Sequence, residues 1–156
     1  MTPRPADVVA SAINGVKRAL ARVDPTCAAD LVLRRQAETI LAQLADAPVA
    51  ILMANDHARY VDVNAAATTL TGYTRPELLR MSVWDLTPEP HLANGLALWE
   101  AFLREGEQQG TYRLRRKDGT LVQTTYFSTA HVLPNLHLSA LATGALVRAL
   151  RRTAGG

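Results

Sequence analysis

The sequence predicts an α+β domain: a five-stranded antiparallel sheet with helices on one face, preceded by an N-terminal helical extension. Three observations predict it. Apolar residues recur at spacings of three and four from Val9 to Leu44, and this pattern gives way to strand-like segments after Pro48. Asp118-Gly119 sits between two alternating stretches and marks a hairpin. A set of short helices and one longer helix separates the first two strands from a terminal three-stranded meander.

Taken in order, Thr2-Pro3 opens the first helix with a hydroxyl cap and a proline in the first turn. Val9, Ile13, Val16, Leu20 and Val23 form its seam, and Pro25 ends it. A second helix runs from about Ala28 to Ala45, with Leu33, Ala37, Ile40 and Leu44 at the same spacing. Each seam spans only about two heptads, too few for a free coiled coil. These helices must therefore pack on the domain or on a second copy of it. Val49 to Met53 is an apolar run fit for a buried strand, Asn55 to Ala58 is turn-like, and Arg59 to Asn64 alternates as a second strand. Ala65 to Met81 is helical but broken at Gly72 and restarted by Pro76, and Pro88 and Pro90 close a loop. The longer helix runs from about His91 to Arg104, stops before Gly106, and carries Leu92, Leu96, Trp99 and Leu103 as an apolar stripe. Strands follow at Thr111 to Arg116, Leu121 to His131 and Leu136 to Thr143. Lys117-Asp118-Gly119-Thr120 is read as a type I′ turn between the first two, and Leu133-Pro134-Asn135 turns between the last two.

The chain has 156 residues, 48% of them hydrophobic and 20% charged, enough for one core and its extension. No apolar run reaches the ~18 residues that span a membrane. Asn14, Lys17 and Arg18 interrupt any signal-like stretch, so a cytoplasmic location is expected. Cys27 is the lone cysteine, which excludes an internal disulfide and a cysteine-based metal site. The net charge of +3 is modest. Its densest part, Arg148, Arg151 and Arg152, suits the solvated C-terminal turn of a helix. A nucleic-acid role would need a recognition helix as well, and no helix-turn-helix signature is visible.

Four motifs in order carry a resemblance. Tyr60-Val61-Asp62-Val63-Asn64-Ala65-Ala66-Ala67, Thr71-Gly72-Tyr73-Thr74-Arg75-Pro76-Glu77-Leu78-Leu79, Trp84-Asp85-Leu86-Thr87-Pro88-Glu89 and Arg115-Arg116-Lys117-Asp118-Gly119 together resemble the PAS family of sensor domains. The resemblance covers about Ala37 to Thr143 and implies the PAS fold. It divides the chain into a helical extension at 1–46, a PAS domain at 47–143 and a short C-terminal helix or tail at 144–156. Asn64 and Gly72 are expected to build the fold, one capping a helix and the other breaking one.

The resemblance also bounds the chemistry. Flavin-binding relatives carry a cysteine in the short helices, and this chain has none there. Haem-binding relatives carry a histidine within the long helix, whereas here His91 stands at its extreme start. Neither cofactor is expected. His131 and His137 should face one another across the last hairpin, able in principle to hold a metal or sense pH. With no carboxylate foreseen nearby, a solvated pair is expected and no metal. No nucleophile–base motif or carboxylate pair stands out, so no catalytic residue and no enzyme activity are expected.

A ligand pocket between sheet and long helix is the remaining chemistry. Pairing across a two-residue Asp118-Gly119 turn places Tyr112, Leu114, Leu121, Thr125 and Phe127 on one sheet face, with Gln123 among them, and Arg113, Arg115, Thr124 and Tyr126 on the other. The candidate pocket residues are Met53, Val61, Tyr73, Met81, Trp84, Leu96, Trp99, Tyr112, Leu114, Gln123, Thr125, Phe127 and Leu138. Leu96 is expected in the core and Phe127 in the cavity wall, and the same positions could equally fill the core. The expected function is a sensory module that binds a small molecule or partner protein and relays the signal through its flanking helices. Its expected assembly is a homodimer through the N-terminal helices, acting on an effector protein and touching neither membrane nor nucleic acid. Relatives that drive a following domain end their last strand with an Asp-Ile-Thr-like junction. Here Leu141-Ala142-Thr143-Gly144-Ala145 stands instead, so a stand-alone ligand-binding or transcription-regulatory accessory protein is the alternative expectation.

Overall fold

The computed structural model describes residues 35, 37–39, 41–42 and 49–145. The seam Val9 to Val23, most of the seam Leu33 to Leu44, Cys27 and the arginine cluster at 148–152 lie outside the described residues.

Five strands form one antiparallel sheet: β1 (Ala50–Ala54), β2 (Tyr60–Val63), β3 (Glu107–Arg115), β4 (Leu121–Leu133) and β5 (Leu136–Thr143), in the order β2-β1-β5-β4-β3. The apolar run of β1 is buried at every position. The reason is that both sheet faces are covered, as a run without alternation requires. On the inner face lie α1 (Ala65–Thr71), α2 (Arg75–Leu78), a 3₁₀ turn (Val83–Leu86) and α3 (Glu89–Glu105). On the outer face Ala37 and Leu41, both helical, pack with Ile51, Met53, Leu138 and Ala140. One of the two expected packing modes of the N-terminal helices, contact with the domain itself, is thus present at these residues.

Local chemistry sets the short helices. Asn64 Oδ1 accepts from Ala67 N at 3.1 Å and from Ile51 N at 2.9 Å, so one amide caps α1 and ties it to β1. Gly72, at φ 80°, ends α1 in the left-handed region. Thr74 and Glu77 form a capping box on α2. Arg75 Nη2 lies 2.7 Å from Asp62 Oδ1, an otherwise buried carboxylate, and this pair fastens α2 to the sheet.

The hairpin differs from its expected form. Arg115 pairs with Leu121, Gly119 alone has positive φ (87°), and Arg116 N donates to Thr120 O at 2.8 Å. This is a three-residue loop closed by a glycine in the left-handed region, whereas a type I′ turn needs positive φ at both central residues. Asp118 instead accepts from Thr120 N and Thr120 Oγ1 at 2.9 and 2.6 Å. The extra loop residue slips the register by one, and a slip of one turns every side chain of β4 over. Tyr112 and Leu114 therefore share the inner face with Val122, Thr124, Tyr126 and Ser128. Leu121, Gln123, Thr125 and Phe127 lie on the outer face, where Gln123 is exposed and Phe127 packs against the outer core.

The long helix also differs. It begins at Glu89, with Pro90 accepted in the first turn. Leu92 and Leu96 are 39% and 59% exposed, and the side that meets the sheet is built from Gly95, Trp99 and Phe102. At about 100° per residue, Gly95 and Phe102 fall on one side of Trp99 while Leu92, Leu96 and Leu103 fall on the other. The aromatic side wins because Gly95 lets Trp84 come so close that a Cβ there would lie 2.8 Å from Trp84 Cζ3. Leu96 is accordingly not a core residue.

Candidate functional site

A cavity of about 290 Å³ lies between the inner sheet face and α3. Its position follows from the phase of α3: aromatic side chains of α3 and of the 3₁₀ turn stand off from small residues on the central strands, Ala54, Ser128 and Ser139. Trp84, Trp99 and Phe102 form the helical side, Leu52, Leu114 and Leu141 part of the sheet side. The rings pack edge-on, with centroids 6.3 Å apart for Trp84–Trp99 and 5.4 Å for Trp99–Phe102.

Polar groups interrupt this surface at two places. Ser128 and Ser139, opposite one another on β4 and β5, bring their hydroxyls to 2.7 Å. Thr87 Oγ1 donates to Val83 O at 2.9 Å, so the 2.6 Å bond between Thr87 and Tyr112 has the tyrosine as donor. Tyr60 is buried and lines the cavity, and burial, with lesser help from Tyr112 and Asp85, pushes its phenol well above the usual range. Burial likewise raises Tyr112, though the Thr87 bond opposes it, and raises Tyr126.

Histidines complete one end. His137 is buried under the edges of Trp99 and Phe102, and its Nε2 lies 2.7 Å from Asp56 Oδ1. His131, at φ 56° in the β4 bulge, donates its backbone N–H to His137 Nδ1 at 2.9 Å, while its own Nε2 sits 2.9 Å from Leu103 O. The expected solvated pair is thus corrected: His137 is inside, and the chain turn at Asn55 to Ala58 brings a carboxylate that linear distance had hidden. Asp56, His131 and His137 offer ligand atoms within 4.8 Å of one another. The backbone amide occupies the Nδ1 lone pair of His137, so its neutral ring carries the proton on Nε2, aimed at Asp56. As folded, that ring holds a proton and has no free lone pair for a metal. Desolvation lowers the His137 pKa below its ordinary value, and the Asp56 bond only partly opposes this.

Of the candidate pocket residues, Trp84, Trp99, Tyr112 and Leu114 line the cavity. Tyr73 and Met81 pack on the inner core without lining it. Met53, Val61, Phe127 and Leu138 belong to the outer core, Gln123 and Thr125 to the outer sheet face, and Leu96 to the surface. Sequence reasoning missed Tyr60, Tyr126, Ser128, Ser139 and His137. The signal that would have found the β4 residues is the loop itself, because only glycine in Lys117-Asp118-Gly119 suits positive φ without strain.

An antiparallel sheet in the order β2-β1-β5-β4-β3, with short helices and one long helix over a cavity, defines a small α+β domain. The family model described as "PAS domain" matches residues 48–134, more than half of the chain, and the chain belongs to that family. Among solved structures it is similar to a domain of a sensory box sensor histidine kinase/response regulator from Geobacter sulfurreducens, with 22% identity, TM-score 0.57, and coverage of 70% of this chain and 95% of that one. It is also similar to the PAS domain, in complex with ethanol, of a LuxR-family transcriptional regulator from Burkholderia thailandensis (14% identity, TM-score 0.57, covering 67% and 96%). A third is the PAS-B domain of Drosophila melanogaster Cycle, in a tryptophan-to-alanine variant with bound glycerol (15% identity, TM-score 0.53, covering 60% and 98%). A search of the curated proteins finds no match. No helix of the described residues is long and apolar enough to cross a membrane.

Proposed function

We propose that this chain is a sensory module that takes a small molecule into the cavity between sheet and α3 and passes the event to its flanking helices. It relays by packing and not by catalysis, with neither haem nor flavin, as a cytoplasmic homodimer held through residues 1–46 and read by an effector protein. The observation that carries the reading is the use of one strand for both tasks. On β5, His137, Ser139 and Leu141 line the cavity, while the alternating Leu138, Ala140 and Ala142 pack in the outer core with Ala37 and Leu41. A shift of β5 on one face therefore moves what the other face holds. The similar domains with ethanol and glycerol bound support a cavity that accepts small molecules.

Trp84 and Trp99 are the chain's two tryptophans and both line the cavity, so intrinsic fluorescence reports its occupancy. Native mass spectrometry of the purified full chain is expected to find a retained small molecule. A panel of small apolar compounds is expected to shift the tryptophan emission, and Ser139→Phe, which fills the cavity, to abolish the shift. If circular dichroism shows both proteins folded and neither a bound mass nor any shift is found, the reading fails.

A further inference from the structure

The cavity's hydrogen-bond accounts do not close. The Ser128 and Ser139 hydroxyls bond each other, so whichever donates, the other O–H proton is left without an acceptor among the described residues. The Tyr60 side chain lines the same cavity, and its hydroxyl, without a partner among the described residues, is open to the cavity space and not sealed in the core. A buried O–H without an acceptor is costly, whereas a spare oxygen lone pair is tolerated more readily. Gln108, opposite Ser128 in the same lining, brings as many donors as acceptors, so once a molecule fills the cavity and excludes water the deficit is one of acceptors. The described lining contains no carboxylate. Its arginine, Arg113, is exposed and lies on the edge strand between Tyr112 and Leu114, whose side chains take the inner face. Around these hydroxyls stand the flat faces and edges of Trp84, Trp99 and Phe102.

We infer that the cavity selects an uncharged, planar aromatic molecule bearing hydrogen-bond acceptors such as a ring carbonyl, an inference that rests on the cavity being the ligand site. An anion would be desolvated here without a buried cation, and a cation without a carboxylate. A ring without acceptors would leave the hydroxyl protons unmet. A site built to bond a polar atom discriminates strongly against an analogue lacking it.

The test compares three probes of similar shape on the full chain by calorimetry: chromone, which is neutral with two oxygen acceptors, naphthalene, which has none, and naphthoate, which is anionic. Chromone is expected to bind roughly tenfold or more tighter than naphthalene, about the worth of one neutral hydrogen bond, and naphthoate more weakly than either. Tyr60→Phe and Ser139→Ala are each expected to bring the chromone-to-naphthalene ratio towards one, and Ser139→Ala repeats the test should Tyr60→Phe unfold the domain. Equal binding of chromone and naphthalene, or tighter binding of naphthoate, overturns the acceptor assignment and leaves the cavity standing as a ligand site. Binding of none of the three overturns the assignment, and the mass-spectrometric result then decides separately whether the cavity is a ligand site.

Discussion

His137 shows what one residue contributes here. Its Nδ1 is held by a backbone amide and its Nε2 proton by Asp56, with Trp99 and Phe102 closing over the ring. Protonation would place a second N–H against an amide that already donates, in a buried site, so the folded-state pKa lies below the ordinary 6.5. The unfolded chain then takes up a proton that the folded one refuses, so the stability is complete above the unfolded pKa and drains as pH falls below it. Glu77, lowered to about 2 first by its bond to Lys117 and then by the Thr74 cap, holds its contribution until far more acid conditions. Melting midpoints between about pH 7.5 and about pH 5.5 are expected to fall for the native chain. In His137→Gln the fall is expected to be smaller, from a lower starting midpoint. An equal fall in both proteins would show that the proton is taken up elsewhere.

At the scale of elements, α3 separates two readings of one apolar pattern. Trp99 belongs to both possible stripes, and the aromatic neighbours, not the leucines, decide which side faces the sheet. Leu96→Ala is therefore expected to change stability by less than about 0.5 kcal/mol, as surface substitutions do. Phe102, 3% exposed, should cost about 3–5 kcal/mol when truncated to alanine. Urea unfolding of the two variants checks this, and a larger loss for Leu96 would place the helix the other way round. The β3–β4 hairpin teaches the same lesson in strands, where one loop residue decided which face carries Gln123 and which carries Ser128.

At the scale of the whole molecule, both sheet faces are in use, one around the cavity and one beneath Ala37 and Leu41. Part of the second helical seam is thus spent within the domain, and the proposed contact between copies is accordingly assigned to the first, Val9 to Val23, which lies outside the described residues. Light scattering is expected to find a dimer for the full chain and a monomer for a chain lacking residues 1–30, a cut that keeps Ala37 and Leu41 in place. Equal masses per particle would remove the proposed dimer.

How much was legible beforehand follows from the range of each interaction. The sheet, its five strands, the Asn64 cap, the Gly72 and Gly106 stops and the family were readable because periodicity, capping and turn residues act over a few neighbours. The cavity was readable only in part. Trp84, Trp99, Tyr112 and Leu114 were found, while Tyr60, Ser128, Ser139 and His137 were not. Their placement depends on a loop longer by one residue, on the phase of α3 around Trp99, and on Asp56 meeting His137 from far along the chain. The sequence by itself determined the elements and the class of domain, because those follow from local backbone preference and hydrophobic pattern. Which side chains line the cavity was decided only by the tertiary structure, because strand register and helix rotation are set by packing between segments distant in the chain.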